Sequence, residues 1–385
     1  MAKRHVVRKK RRLQFSWMIA LPLVGLFAAA HAPDQPQWKG TIVKEGDVTV
    51  VRNPRGPLYA TPAFSFHEDY VLGGEGAESR YVLSHPFGMA LDEAGNLYVV
   101  DLGEKNIKVF DKSGAYVRTM GRPGQGPGEY QAPTGLCVIE GRQELFVFDI
   151  QRISVLSLAG SLLRRLPLKG LSVGLGVDDR GDLFISEISV RTNETTIRTY
   201  SPDLTRQPAV VLTYQEAPGK DPFRPRVLCI LDRAGHVVFG DSKTYEIRII
   251  DGQGRTLKKI RREYDPVRAT QAERDDLAAR TKSVLGPEAA KRMVFSAYHS
   301  AFRGFFVDDA GHLFVETWER TGDGRQDLYD VFDADGRYVA RVPLNPHPDF
   351  LNPLPRLIRN GKLYTIEPDA KGYEVVKRYS VKWNI

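Results

Sequence analysis

Six carboxylates fall at or within one residue of the end of short apolar runs: Asp101, Asp149, Glu187, Asp241, Glu316 and Glu367. Gathered round one opening, they would hold a cation, with calcium the natural occupant, or a basic partner. Without a cation they would raise one another's pKa. The competing reading is that each caps the hairpin that follows or closes a contact between repeats. That is the default for a turn residue that recurs with the fold. A second set, His85, Arg224, Arg226, Tyr298, His299 and Arg303, stands just before apolar runs, where it could line a binding pocket or could be ordinary loop polarity.

Other chemistries find little footing. The histidines lack metal-ligand spacing and there is no cysteine cluster. No Gly-x-Ser-x-Gly elbow is present. Gly124-Gln-Gly-Pro-Gly-Glu-Tyr130 has the glycine content of a phosphate loop, but a strand should follow it, and no Gly-Lys-Ser/Thr completes it. It reads as a connection between repeats. The residues name no catalytic group and no cofactor.

The elements that must position these residues recur along the chain. Gly88-Met-Ala-Leu-Asp-Glu-Ala-Gly-Asn-Leu-Tyr-Val-Val-Asp101 leads to Ile107-Lys-Val-Phe-Asp111 and a further strand to Met120. Weaker copies start near Gly135, Gly174, Leu228 and Gly304, and a faint sixth contains Leu363-Tyr-Thr-Ile-Glu367. Apolar residues alternate or run in blocks such as Leu145-Phe-Val-Phe148, as strands covered on both faces require. Turns such as Asp92-Glu-Ala-Gly95 and Asp308-Asp-Ala-Gly311 join an Asp that bonds its own turn to a Gly that tolerates positive φ. Repeats of this kind predict an all-β, six-bladed β-propeller over residues 64–385. The last copy shows three clear strands, and an orphan strand, Phe64–Leu72, precedes the first copy. The orphan should complete the last blade and remove its open edge. Residues 33–63 are then an extended segment packed on the outside.

One stretch, about 266–298, breaks the pattern between blades four and five. Thr270-Gln-Ala-Glu273 is a capping box, and Leu277, Thr281, Val284 and Leu285 fall on one helical face. Gly286-Pro287 should end this helix and start a second, from Glu288 to about Val294. By strand count, this insert, the glycine-rich loop and the ends of the second strands share one rim.

The chain carries 55 Lys and Arg against 47 Asp and Glu, but seven of the basic residues precede Leu13 with no acid among them. An apolar stretch, Phe15–Ala30, and small residues follow. Residues 1–32 therefore read as a secretory signal peptide, with an uncleaved membrane anchor as the alternative. The rest of the chain is nearly neutral, which argues against a nucleic-acid partner. Cys137 and Cys229 lie on the first strands of copies two and four, too far apart for a disulfide, and should be buried free thiols.

Gly88–Asp101, Ile107–Asp111 and the following Gly-Gln-Gly-Pro-Gly-Glu-Tyr-Gln-Ala-Pro133 resemble the NHL repeat. Val51-Arg-Asn-Pro-Arg-Gly-Pro-Leu-Tyr59 resembles the opening of a group of secreted bacterial six-bladed propellers. The resemblance implies fold and export more than activity, because NHL propellers serve as protein or RNA platforms and occasionally as lyases. The expectation is a non-catalytic exported propeller, periplasmic or extracellular, presenting one rim to a protein, peptide or glycan. Its membrane contact would come only through an uncleaved N-terminus. The alternative is a metal-dependent hydrolase or lyase, lactonase-like or NHL-lyase-like, acting at the channel mouth.

Overall fold

Short strands with apolar residues on both faces must be covered on both sides, and the chain solves this by stacking six four-stranded antiparallel sheets face against face round an axis. The computed structural model describes residues 36–60, 64–150, 152–168, 171–215, 219–345 and 356–383. The proposed signal segment lies outside them. The described residues from Gln37 onward form one unit. Among the described residues, no helix is long and apolar enough to cross a membrane.

Blade one shows the plan: Pro86–Leu91, Leu97–Asp101, Asn106–Phe110 and Tyr116–Met120 pair in chain order. Blades two, three, four and five begin at Gly135, Leu171, Val227 and Gly304 and repeat that order. Blade six takes Leu357–Arg359, Lys362–Pro368 and Glu374–Trp383 from the C-terminal end of the chain. Its outer strand is Phe64–Gly73, which runs antiparallel to Glu374–Trp383 with Phe64 opposite Trp383 and Gly73 opposite Val375. The ring closes as the orphan strand predicts. Apolar side chains interlock between blades: Tyr98, Val100, Ile107 and Val109 of blade one pack with Leu145, Val147 and Leu156 of blade two.

The N-terminal segment is extended and lies along the outer edge of the ring. It forms a hairpin, β1 (Thr41–Glu45) and β2 (Val48–Asn53), and β2 adds in parallel to the outer strand of blade four. Every β1 residue is exposed, whereas β2 covers the open edge of blade four and buries Val50 and Val51 completely. Asn53 then staples two blades. Its Nδ2 donates to the Gly336 and Arg261 carbonyls at 2.9 and 3.2 Å, and its Oδ1 accepts from the Tyr338 backbone N–H at 2.7 Å. Leu58 and Tyr59 continue along blade five, and β3 (Phe64–Gly73) completes blade six.

A buried carboxylate, Asp330, locks blades four and five. It accepts from the Tyr245 and Tyr338 hydroxyls at 2.7 and 2.6 Å and from Arg341 Nε at 2.9 Å, while Arg262 Nη1 lies 3.1 Å away. Such a network is stable when its acceptor is fully matched.

The insert is helical, as its capping box requires. In α1 (Gln271–Leu285), Thr270 Oγ1 accepts from the Glu273 N–H at 3.2 Å and the Glu273 carboxylate accepts from the Thr270 N–H at 2.8 Å. Two expectations need correction. α2 (Pro287–Lys291) stops short of Val294. Of the proposed apolar face only Leu277 is buried, whereas Val284 and Leu285 are 79% and 72% exposed. The small core beneath the insert, built from Phe223, Ala269 and Leu277 with Met293, Phe295 and Trp318, reaches only the first turns of α1.

Candidate functional site

The first strands of the blades line a central channel, and its two mouths differ. On the rim opposite the insert, the second residue of each inner turn points to the opening: Glu93, Asp179, Arg233 and Asp309, joined by Glu140 and Arg359. These charges are largely matched with one another. Arg359 pairs with Glu140, Arg233 lies 3.7 Å from Glu140 and 3.9 Å from Asp179, and the Asn360 N–H donates to Asp309 at 2.7 Å. Sequence reading passed over this ring, although the shared register of Asp92-Glu93, Asp178-Asp179, Asp232-Arg233 and Asp308-Asp309 carried the signal.

The other mouth, on the rim of the insert, opens into a cavity of about 530 Å³. Phe87, Leu136, Leu228, Phe305 and Phe306 give it an apolar wall, and Glu316, Tyr329 and Arg356 form a polar side between blades five and six. Glu316 sits on the second strand of blade five, opposite Gly304 and Tyr329. Gly304 makes room for it: the Glu316 Oε2 lies 3.3 Å from where a Cβ on residue 304 would stand. Arg303 Nη1 approaches Glu316 Oε1 at 3.1 Å and donates to Asp327 Oδ2 at 3.0 Å, while Arg320 Nε donates to the other Asp327 oxygen at 3.1 Å.

This cluster is incompletely matched. Arg356 Nε and Nη1 are buried without a hydrogen-bond partner, Glu316 Oε1 has only the approach of Arg303, and the Tyr329 hydroxyl turns to the Glu316 carboxyl. Arg356 Nη2 donates to the Asn345 carbonyl, and its guanidinium lies 4.8 Å from the Tyr329 ring centre. Burial pushes the Glu316 carboxyl above its usual range, against the pull of Arg303 and Arg356. Burial likewise holds Tyr329 well above an ordinary phenol.

Of the expected binding residues, the structure brings His299 and Arg303 together and leaves the others apart. The buried His299 ring stacks on Trp318 at 3.9 Å with planes 10° apart, and Arg303 lies 5.2 Å from the same indole. Burial lowers the His299 pKa, although Glu273, 3.3 Å away, favours the proton. Trp318 reaches this position because the second strand of blade five runs on to Arg320. His85 pairs with Glu374 at 2.7 Å where blades one and six meet. Tyr298 is exposed on the insert. Arg224 and Arg226 lie in the approach to blade four, where the Arg226 N–H donates to Ser242 Oγ at 2.8 Å.

The six carboxylates at the strand ends do not converge. Asp101 accepts from the Ser84, His85 and Glu104 N–H groups at 2.8, 3.0 and 3.1 Å. Asp149 accepts from the Ala132 N–H at 2.7 Å and from Arg152 Nε at 3.0 Å. Glu187 binds Arg198 and Tyr200, Asp241 accepts from the Lys243 N–H, and Glu367 accepts from Asn345, Thr365 and Tyr379. Only Glu316 faces the cavity, and among the described residues no group of His, Cys, Asp or Glu is placed to hold a metal ion. The glycine-rich loop bridges blades one and two. Glu129 accepts from the Gly126 N–H at 2.7 Å, and Gly121, at φ +81°, lies where any Cβ would strike the Tyr130 ring. Cys137 and Cys229 form no disulfide and are only half-buried, because first strands line the channel. Burial in that wall raises the Cys137 thiol.

Comparison with known proteins agrees with the architecture. The DUF5128 family model, described as a 6-bladed beta-propeller, matches residues 90–169. No curated protein sequence matches the chain. A Bacteroides fragilis protein, named as a candidate exported protein, superposes with a TM-score of 0.53 at 11% identity, over 87% of this chain and 100% of its own. A Bacteroides vulgatus member of the DUF4221 family superposes with a TM-score of 0.51 at 11% identity, over 83% and 99%. Virginiamycin B lyase from Staphylococcus aureus gives a TM-score of 0.46 at 9% identity, over 82% and 99%. At such identities the likeness concerns the fold, and in fold this chain is a six-bladed β-propeller closed by its N-terminal strand.

Proposed function

We propose that this protein is an exported binding module. It takes a protein, peptide or glycan partner on the rim bearing α1 and α2, with the wide channel mouth at the centre of the contact. The observation that carries the reading is the mouth between blades five and six, where an apolar opening meets polar groups of Glu316, Tyr329 and Arg356 that the fold leaves incompletely matched. The buried carboxylate that joins blades four and five, Asp330, by contrast has both oxygens matched. The exposed Val284, Leu285 and Tyr298 add apolar surface on the same rim. Export rests on the basic-then-apolar order of the first thirty-two residues.

Replacing Thr270–Met293 with a short Gly-Ser linker tests the rim. Cooperative unfolding should survive, and capture on arrays of defined peptides and glycans should fall at least about tenfold. Equal capture by both proteins would refute a partner on this rim. N-terminal sequencing of the exported product distinguishes a cleaved signal, with a new terminus near Ala32, from an anchor that keeps Met1.

A further inference from the structure

Arg356 stands apart from the other arginines at the wide mouth. Arg303 and Arg320 both grip Asp327, and Arg303 also lies beside Glu316. Arg356 makes no ion pair among the described residues. Its one described hydrogen bond goes to a backbone carbonyl, and its Nε and Nη1 are buried without an acceptor. Glu367, on the same side of the ring, has both oxygens occupied by Asn345, Thr365 and Tyr379. A buried guanidinium with two idle donors is costly unless something supplies an acceptor. The Tyr329 hydroxyl, on a residue only 1% exposed and turned to the Glu316 carboxyl, belongs to the same polar side of the cavity.

We infer that the cavity at this mouth binds a carboxylate carried on an apolar body, with Arg356 and the Tyr329 hydroxyl receiving the carboxylate and the Phe305–Phe306 wall receiving the rest. The inference rests on the proposed use of this rim for binding and names the chemistry recognised at its centre. A guanidinium N–H gives a carboxylate oxygen a charge-assisted hydrogen bond, stronger than one between neutral groups. Glu316, on the same polar side, sets the charge of the guest. When ionised it adds negative charge beside the guest, which disfavours a second charge such as that of a phosphate monoester. The phenyl rings and Leu228 offer nothing to a polar tail, so the remainder of the ligand must be apolar. A free carboxylic acid and the C-terminus of a peptide share this chemistry.

Thermal-shift and calorimetric titrations of the full chain separate the outcomes. The probes are 4-phenylbutyrate, its primary amide, and the dipeptide acetyl-Leu-Phe with a free or an amidated C-terminus, at matched ionic strength. A ligand that binds only the folded state raises its melting temperature. The acids should raise it and the amides should not. Arg356→Gln should weaken acid binding at least about tenfold, and Tyr329→Phe, which keeps the ring in place, should weaken it severalfold. If Arg356→Gln does not fold, Tyr329→Phe alone carries the test. A shift from either acid supports the inference and identifies which source the cavity prefers. Equal shifts by acid and amide, or no shift by any of the four, overturn it. Capture on the arrays that depends on the insert but not on a free carboxylate would overturn this inference alone and leave the rim reading standing.

Discussion

Blade five carries two clusters built from the same three residue types, and they have opposite fates. Asp330, on its third strand, is ringed by Tyr245, Tyr338, Arg262 and Arg341, so that two blades share one fully matched carboxylate. Glu316, on its second strand, has Arg303 and Tyr329 about it, and beside them Arg356 keeps two donors idle. The first cluster lies between packed blades and the second opens on the channel. The contrast teaches that arginine, carboxylate and tyrosine do not in themselves mark a site. What sets the second apart is that its idle donors belong to a residue lining an open cavity, whereas the unmatched Arg262 Nε lies between packed blades.

The comparison can be broken most directly at Asp330. Asp330→Ala strips Arg262 and Arg341 of a buried counter-charge and should cost about 3–5 kcal/mol in urea unfolding. Glu316→Gln should cost no more than about 1 kcal/mol, because Arg303 retains Asp327. Equal losses would erase the distinction between the clusters.

A pH titration sharpens the same contrast. Because the folded Glu316 pKa lies above its unfolded value, its contribution to stability is full below the ordinary glutamate range and is lost as pH rises through the raised value. From about pH 4 to pH 7 the stability difference should therefore move in favour of Glu316→Gln. A flat difference would mean that Glu316 ionises like an exposed glutamate.

The smallest effect concerns His299, joined to Arg303 through Trp318. Its folded pKa is depressed, so its contribution is present above the ordinary imidazole value of about 6.5 and is lost as pH falls below it. The acid-side slope of the melting temperature should shrink in His299→Gln by the equivalent of less than about 1 kcal/mol. An unchanged slope would assign the acid sensitivity of the insert to another group.

Much of the ring was legible in the chain, because strand alternation recurs in every copy and Asp-x-x-Gly turns recur in all but the second. Phe64–Gly73 could be matched to blade six by counting strands. The β1–β2 hairpin could not be foreseen, because β2 docks on the edge of blade four, about two hundred residues away, which no local spacing announces. Val284 and Leu285 followed a helical period, but the insert overhangs the only apolar surface available to it. The Glu316 cluster draws Arg356 from blade six and its other members from blade five, so it exists only once the register of the whole ring is set. Single-sequence spacing carries no trace of such a meeting.

The velcro between Phe64–Gly73 and Glu374–Trp383 has a consequence for biogenesis. The first ring strand to leave the ribosome must wait for the last, some three hundred residues later. Until then both terminal sheets expose raw edges, and closing so long a loop costs entropy that local contacts cannot return early. Loss of the final ten residues would therefore leave a sticky, unsealed intermediate that invites chaperones and proteases, however sound the other five blades.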